Sequence, residues 1–325
     1  MAVLQFKTAL LILGAAAGRK HLIRSFCPRT LECLWMLIGI RLLLPQDIGI
    51  PILSIPHSPE QYSYGPAAGL ADCLVWIHRG GTGIALLILL ADYICFYNRM
   101  KQKEVLQNEF VCRWAESHSC RPHFYIYTSP AAVSPIVYGL LCPKIVLPAQ
   151  QYSAAQYEYI LLHEWMHIRR LDLWKKLFMI TAAVLNWYNP ACWLMLLLFN
   201  RDLELACDAD VLRTLNKEEH AGYAHTLLDC YCRMTPSAIL GTGFLSGLLQ
   251  ERIGAIMNQK KMSIKTKCCA VFLLAGLFPA IFGIISVHAE MPEKMPALVG
   301  KTLPEAKTLL QEAGHEYAWS IEDIR

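Results

Sequence analysis

Apolar residues in this chain gather into long runs near its two ends and into shorter, helix-spaced stretches between them. Four runs approach the roughly 17–25 residues that cross a bilayer. They are "LQFKTALLILGAAAG" (4–18), "LECLWMLIGIRLLLP" (31–45), "GTGIALLILLADYICFY" (81–97) and "CCAVFLLAGLFPAIFGIISV" (268–287). The first also admits a signal-peptide reading, since "GAAAG" resembles a small-residue cleavage site. Its basic residues mostly follow the apolar run, however, where a signal peptide carries them in front.

Between residues 98 and 267 the pattern changes. "HFYIYTSPAAVSPIVYGLLCPKIVLP" (123–148) is rich in Ile, Val and Tyr and broken by Pro and Gly, which predicts two or three short strands. The chain then turns helical, with Ser153 as an N-cap. "KKLFMITAAVLNWYNPACWLMLLLFNRDLELACDADVLRTL" predicts two helices around the breaker "NWYNP", either a hairpin dipping into the membrane or a buried core pair. "TLLDCYC" and "SGLLQERIGAIMNQKK" predict further amphipathic helices.

Composition sharpens this reading. Of 325 residues, 55% are hydrophobic and only 17% charged, against about a quarter charged in soluble domains. That deficit predicts a membrane protein, and a net charge of +4 is not a nucleic-acid footprint. The basic residues cluster beside the apolar runs: Arg19, Lys20, Arg24 and Arg29; Arg99, Lys101 and Lys103; Lys260, Lys261, Lys265 and Lys267. The positive-inside rule assigns all three clusters to the cytoplasm. The expected organisation is three transmembrane helices in 1–97 with an external segment at 46–80, a cytoplasmic domain at 98–267, a fourth transmembrane helix at 268–288 and an external tail at 289–325. The 13 cysteines are scattered without a CxxC pair, and only Cys73 falls in an external segment, so they read as reduced thiols.

The chemistry concentrates in "LLHEWMHIRRLDLW". His163 and His167 are four apart, so on a helix both imidazoles face one way, within reach of one zinc ion. Glu164, beside the first of them, can take the proton of a water that the metal activates. Such a match also arises by chance as a solvated helix face. A catalytic zinc needs three protein ligands and an open position. Glu204 in "RDLELACDAD" would supply a third ligand, with Asp208 one turn on placed to orient a histidine, although acidic pairs at this spacing are more often plain surface charges.

With "LLHEWMHIRRLDLWKKL", "NWYNPACWL" and "RDLELACDADVL", the chain resembles the BlaR/MecR-type antirepressor metallopeptidases, integral-membrane zinc proteases of bacteria with a gluzincin site. "SPIVYGLLCPKIVLP" resembles their substrate-side strand region, "ECLWMLIGIRLLLP" their second span, and "LLQERIGAIM" the end of their protease unit. The resemblance covers about residues 4–286. It implies a mainly α membrane protein whose four transmembrane helices carry an α+β gluzincin-type protease domain in the cytoplasm. It also implies Zn2+ on His163, His167 and Glu204, Glu164 as general base, Asp208 behind the ligands and Asp172 helping to orient the site. In this family an external signal switches on internal proteolysis of the protease itself and of a transcriptional repressor.

The sensor-bearing members of that family acylate a serine within SxxK. This chain contains no Ser-x-x-Lys. Its tail, "MPALVGKTLPEAKTLLQEAGHEYAW", resembles the first half of a PASTA module, a fold that in some proteins binds peptidoglycan fragments or β-lactams. The expected partners are the lipid bilayer, a protein substrate of the repressor kind, a peptidoglycan or β-lactam ligand outside and a second copy of the chain as a homodimer, with no direct nucleic-acid contact. Two other functions fit parts of the sequence. One is a housekeeping membrane zinc protease of prenyl-endopeptidase or heat-shock type. The other is a non-catalytic membrane sensor, against which an intact Glu164 argues.

Overall fold

The computed structural model describes residues 2–44, 67–118, 123–234, 242–258, 268–272 and 274–277. These residues are mainly helical with one small sheet. Helices α1 (Ala2–Ser25), α2 (Pro28–Leu43) and α3 (Ala67–Arg99) come first. Strand β1 (Glu104–Val105), helix α4 (Glu109–Ser117) and strands β2 (Tyr125–Ser129), β3 (Ile136–Tyr138) and β4 (Lys144–Pro148) follow. Then come α5 (Ala154–Arg169), α6 (Asp172–Leu185), α7 (Pro190–Thr214), α8 (Glu219–Met234) and α9 (Thr242–Met257).

Local chemistry sets the boundaries. Ser153 caps α5 in a full capping box with Gln156, so two orphan N-terminal donors are satisfied at once. Asn108 does the same for α4, accepting from the amides of Phe110 and Val111. At α7, Asn189 accepts from the amide of Ala191 while Pro190 presets the first helical φ, which is why "NP" ends one helix and begins the next. Between α5 and α6, Leu171 adopts a left-handed φ of 55°. This conformation costs a non-glycine residue about 1–2 kcal/mol, and it turns the chain sharply enough to bring Asp172 back against the end of α5.

The sheet runs in the order β1-β2-β4-β3, with β2 and β4 parallel and both outer pairs antiparallel. β3 is therefore an edge strand. Gly139, at φ 92°, makes the turn out of it; a Cβ there would meet the Cys142 carbonyl oxygen at 2.5 Å. The strands of 123–148 were legible in the sequence, whereas β1 is too short to leave a period. Sheet, α4, α5, α7 and α8 share one core, in which Trp114, Ile145, Leu161, Val211 and Tyr223 are buried. Nearly every face of α5 is covered.

The apolar runs behave differently from one another. The third is part of α3, which begins at Ala67, so residues 67–80 of the expected external segment are helical. His78 and Arg79 interrupt the apolar run without interrupting the helix. Among the described residues, one helix, Val75–Arg99, is by itself long and apolar enough to cross a membrane. The second run, α2, is instead packed against α6 and α7, burying Leu31, Leu34, Trp35 and Ile38. A shorter apolar helix covers Cys268–Leu277, and the rest of the fourth run and the PASTA-like tail lie outside the described residues. The α6–α7 turn docks on α3: the Trp187 indole lies where a Cβ on Gly81 would clash with it, and His78 Nε2 lies 3.0 Å from the Leu185 carbonyl oxygen.

Basic residues expected simply to mark orientation are also structural. Arg19 on α1 donates from Nε to Asp202 on α7 (2.9 Å) and pairs with Glu251 on α9. Asp202 is fully buried and also accepts from Trp35 Nε1 at 2.7 Å. Removing one partner of a buried pair leaves an uncompensated charge, at a cost of about 3–5 kcal/mol. Arg19→Ala, which leaves the fully buried Asp202 without its cation, is therefore expected to lower the unfolding free energy of the detergent-solubilised protein by about that amount. Chemical unfolding followed by tryptophan fluorescence measures it, with Arg113→Ala on the exposed face of α4 expected to be neutral.

Candidate metal centre

The turn spacing of α5 puts His163 and His167 on one side, and both are buried in the core. Each ring is gripped from behind through Nδ1. His167 Nδ1 lies 2.8 Å from Asp172 Oδ2, the contact that the Leu171 turn makes available. His163 Nδ1 lies 2.8 Å from the Tyr223 hydroxyl on α8, and that hydroxyl donates to Asp208 Oδ1 at 2.6 Å. Both Nδ1 atoms therefore carry a ring proton, so that in the neutral rings both Nε2 atoms present lone pairs. Those two Nε2 atoms face each other at 3.2 Å. Glu204 Oε2, from α7, completes a triangle at 3.5 Å from His163 Nε2 and 3.7 Å from His167 Nε2.

Three donor atoms this close together form an arrangement that a bound cation would complete. Ligands held at 2.0–2.1 Å from a tetrahedral zinc are separated by about 3.3 Å. The observed triangle fits that ion. Cys207 shares a 4.8 Å donor cluster with the two histidines. Its sulfur, however, lies 3.8 Å from His163 Nδ1 and 3.7 Å from the His163 carbonyl oxygen, on the side of the ring already occupied by Tyr223. The Nε2 side belongs to Glu204.

The charges follow from this crowding. Burial opposes a charge on His163, but the Cys207 and Glu204 groups outweigh it and hold its pKa up at about 10. His167 is raised for the same reasons, with Asp172 adding to the effect. Burial raises the Glu204 carboxyl, but His167, His163 and Lys176 outweigh that and hold it well below the usual range. Asp172 is likewise lowered, burial being outweighed by His167, Arg170 and Lys175.

A cleft of about 340 Å³ opens over the triangle. Ile136 and Val137 of β3 line one wall, and Leu227, Leu248 and Arg252 line others. Glu164 lines it too, and no hydrogen bond or ion pair to its carboxylate is found among the described residues. All six residues singled out from the sequence (His163, Glu164, His167, Glu204, Asp172, Asp208) thus meet in one place. Four others that sequence reasoning missed support them. Tyr223 and Arg252 hold Asp208, the latter through Nε at 2.7 Å and a terminal nitrogen at 2.8 Å. Arg170 and Lys175 hold Asp172, at 3.1 and 2.9 Å. No spacing rule links α8 or α9 to a motif on α5. Arg170 and Lys175, by contrast, flank Asp172 in the same stretch and were open to notice.

Known proteins share this arrangement of sequence. The family described as BlaR1 peptidase M56 matches residues 57–256. Regulatory protein BlaR1 of Bacillus licheniformis is 28% identical over 238 residues, covering 67% of this chain and 38% of that protein. The methicillin resistance mecR1 protein of Staphylococcus aureus is 33% identical over 113 residues, covering 34% of this chain and 19% of that protein. The chain spans well under half the length of these relatives. Because the family match extends over more than half of the chain and takes in the whole of the histidine helix and the glutamate that faces it, this protein belongs to the M56 family of BlaR1-type peptidases.

Proposed function

We propose that the chain is a membrane-embedded zinc endopeptidase that passes an external cell-wall or antibiotic signal to the cytoplasm by cleaving itself, a transcriptional repressor, or both. The observation that carries the enzymatic part is the triangle of His163 Nε2, His167 Nε2 and Glu204 Oε2, with sides of 3.2, 3.5 and 3.7 Å. The signalling part rests on the regulatory relatives, which are named for regulation and for methicillin resistance.

In this reading His163, His167 and Glu204 hold the metal, and Asp208 and Asp172 fix the histidine tautomers. Zinc, when bound, supplies Lewis acidity and brings the pKa of a water in its open position to about 7. Glu164 takes the proton from the attacking water and returns it to the leaving amine nitrogen as the peptide bond breaks. A substrate segment in extended form pairs with the free edge of β3, whose Ile136 and Val137 form the cleft wall, so main-chain hydrogen bonds align the scissile bond. The apolar walls exclude bulk water and strengthen each of these polar interactions.

The membrane location is supported by apolar surface that is exposed among the described residues. It is exposed on α3 and recurs at Phe6 and Leu10 of α1 and at Leu177, Leu185, Trp193 and Leu197 of the α6–α7 hairpin. Trp187, Tyr188 and Trp193 cluster at the hairpin turn, as aromatic residues do at a bilayer interface. The multi-pass topology belongs to this proposal: four spans, the protease domain inside, and the tail outside in a bacterial cell membrane. So do the peptidoglycan or β-lactam ligand and the homodimer.

Metal analysis of the purified protein is expected to find about one zinc per chain. His163→Ala, His167→Ala and Glu204→Ala should each lose it. Cys207→Ala should keep it, and the reverse result for Glu204 and Cys207 would replace the third ligand. Glu164→Gln should keep the metal and abolish cleavage of a fluorogenic peptide or of the chain itself.

Metal binding should also depend on pH. The histidines must shed protons to bind, and His163 holds its proton up to about 10 in the absence of metal. Affinity should therefore rise with pH throughout the range below that value and fall as acid returns the protons. Titration calorimetry in buffers of different ionisation enthalpy should find protons released on metal binding at neutral pH, and no buffer dependence would overturn this reading.

A further inference from the structure

We propose that Arg252 is a positioning residue for the metal centre, fixing the Asp208 carboxylate behind His163, and that its neighbour Glu251 ties this geometry to helix α1 through Arg19. The proposal rests on the metal-centre reading above and adds to it a route from the apolar helices.

Arg252 sits on α9 with a largely covered side chain, 14% exposed. Its guanidinium grips Asp208 with two nitrogens, Nε at 2.7 Å and a terminal nitrogen at 2.8 Å. That terminal nitrogen is also 3.5 Å from His163 Nε2, and the other is 3.5 Å from Glu204 Oε2. The cation therefore touches both carboxylates of the centre, holding one firmly and standing beside the other. A planar fork holding both oxygens of a carboxylate fixes the orientation of that carboxylate, which a point charge does not. Asp208 fixes Tyr223, and Tyr223 fixes the ring of His163.

The preceding residue makes a second fork. Glu251 receives two bonds from Arg19 of α1, at 3.0 and 2.9 Å, and Arg19 also donates to Asp202 at 2.9 Å. Asp202 and Asp208 both belong to α7. Adjacent residues of α9 thus bind α7 at two points, once directly and once with α1 in between. The other histidine has no such tie: Asp172 is held by Arg170 and Lys175, which reach Glu32 of α2. A shift of α9 against α1 therefore reaches Asp208 and Glu204 and leaves the Arg170 and Lys175 hold on Asp172 in place. After α9 the chain continues into the apolar run that begins at Cys268, and α1 is itself an apolar run. Helix α1 and the helix that precedes the fourth apolar run in the sequence are therefore both linked to one imidazole.

The test uses the full chain in detergent micelles, with Co2+ alone as the probe. Its affinity is read by competition with a chromophoric chelator and its geometry from the visible absorption bands. Arg252→Gln should weaken Co2+ binding about 10–100-fold, as removal of a group behind a metal ligand does, and should alter the bands. Arg252→Lys keeps the charge without the fork and should recover only part of the loss. Glu251→Gln, on a partly exposed side chain, should weaken binding about two- to fivefold and move the bands in the same direction. Arg113→Gln should leave both unchanged. If Arg252→Gln and Glu251→Gln bind Co2+ as the unaltered protein does with the same bands, or if either binds it more tightly, the proposal is overturned while the metal centre stands. Should Arg252→Gln fail to fold, Glu251→Gln decides alone. An unaltered protein that takes up no Co2+ would overturn the metal-centre reading and this proposal with it.

Discussion

Buried carboxylates govern this structure. Asp172, Asp202, Asp208 and Asp210 are each no more than 4% exposed, in a chain whose surroundings are largely apolar. An ionised carboxylate taken out of water costs several kcal/mol, and only a well-placed cation or donor set offsets that. Each has found one. Arg19 and Trp35 serve Asp202; Arg252 and Tyr223 serve Asp208; Arg170 and Lys175 serve Asp172; Arg29, Arg170 and Arg213 serve Asp210. The partners come from α1, α2, α6, α8 and α9 as well as α7. Apolar helices can slide against one another at little cost. With these pairs in place, a wrong register leaves a bare charge in the core. The net gain from such pairs is small, and their effect is to define one arrangement.

Two of those four aspartates stand behind the histidines. The contacts that register the helices are thus also the contacts that select the Nδ1–H tautomers and turn both Nε2 lone pairs toward Glu204. Such a centre can therefore be built beside exposed apolar surface. Little water is present to compete for Nδ1, so a carboxylate at 2.8 Å holds the His167 ring more firmly than it would on an open surface. The price is sensitivity, because any movement of α2 or α9 reaches the ligands through one intermediate carboxylate.

Local signals were legible in the sequence wherever a residue acts on its neighbours. The i, i+4 histidines, the Ser153 cap, the "NP" break before α7 and the i, i+4 pair Glu204–Asp208 all follow from helical geometry. Asp172 was reached only through family resemblance, since its role depends on the left-handed Leu171, an unusual conformation for leucine that no propensity announces. Tyr223 and Arg252 were invisible because their partners lie on α7 and α5, and nothing in "EHAGYAHTLLDCYCRM" or "LLQERIGAIM" distinguishes the residue that faces the site from those that do not. The extent of α3 was misjudged for a different reason. Hydropathy reports where a helix can touch lipid, whereas helix continuity depends on the absence of breakers, and "AAGLADCLVWIHR" contains none.

The same distinction bears on the apolar runs that are not free-standing spans. α1 and α2 carry Arg19, Glu32 and Arg41, and charge is what a length-and-hydropathy criterion penalises. Yet all three are buried, and Arg19 and Glu32 face cations or carboxylates of α6, α7 and α9 rather than an open surface. A charge that points into protein does not meet hydrocarbon, so its presence says nothing against the opposite face of the helix lying in a bilayer. On α1 that opposite character is visible in Phe6 and Leu10, at 71% and 63% exposed. The polar residues that weaken α1 and α2 as independent spans are the ones that attach them to the peptidase fold. In this protein, apolar surface and peptidase scaffold are two faces of the same elements.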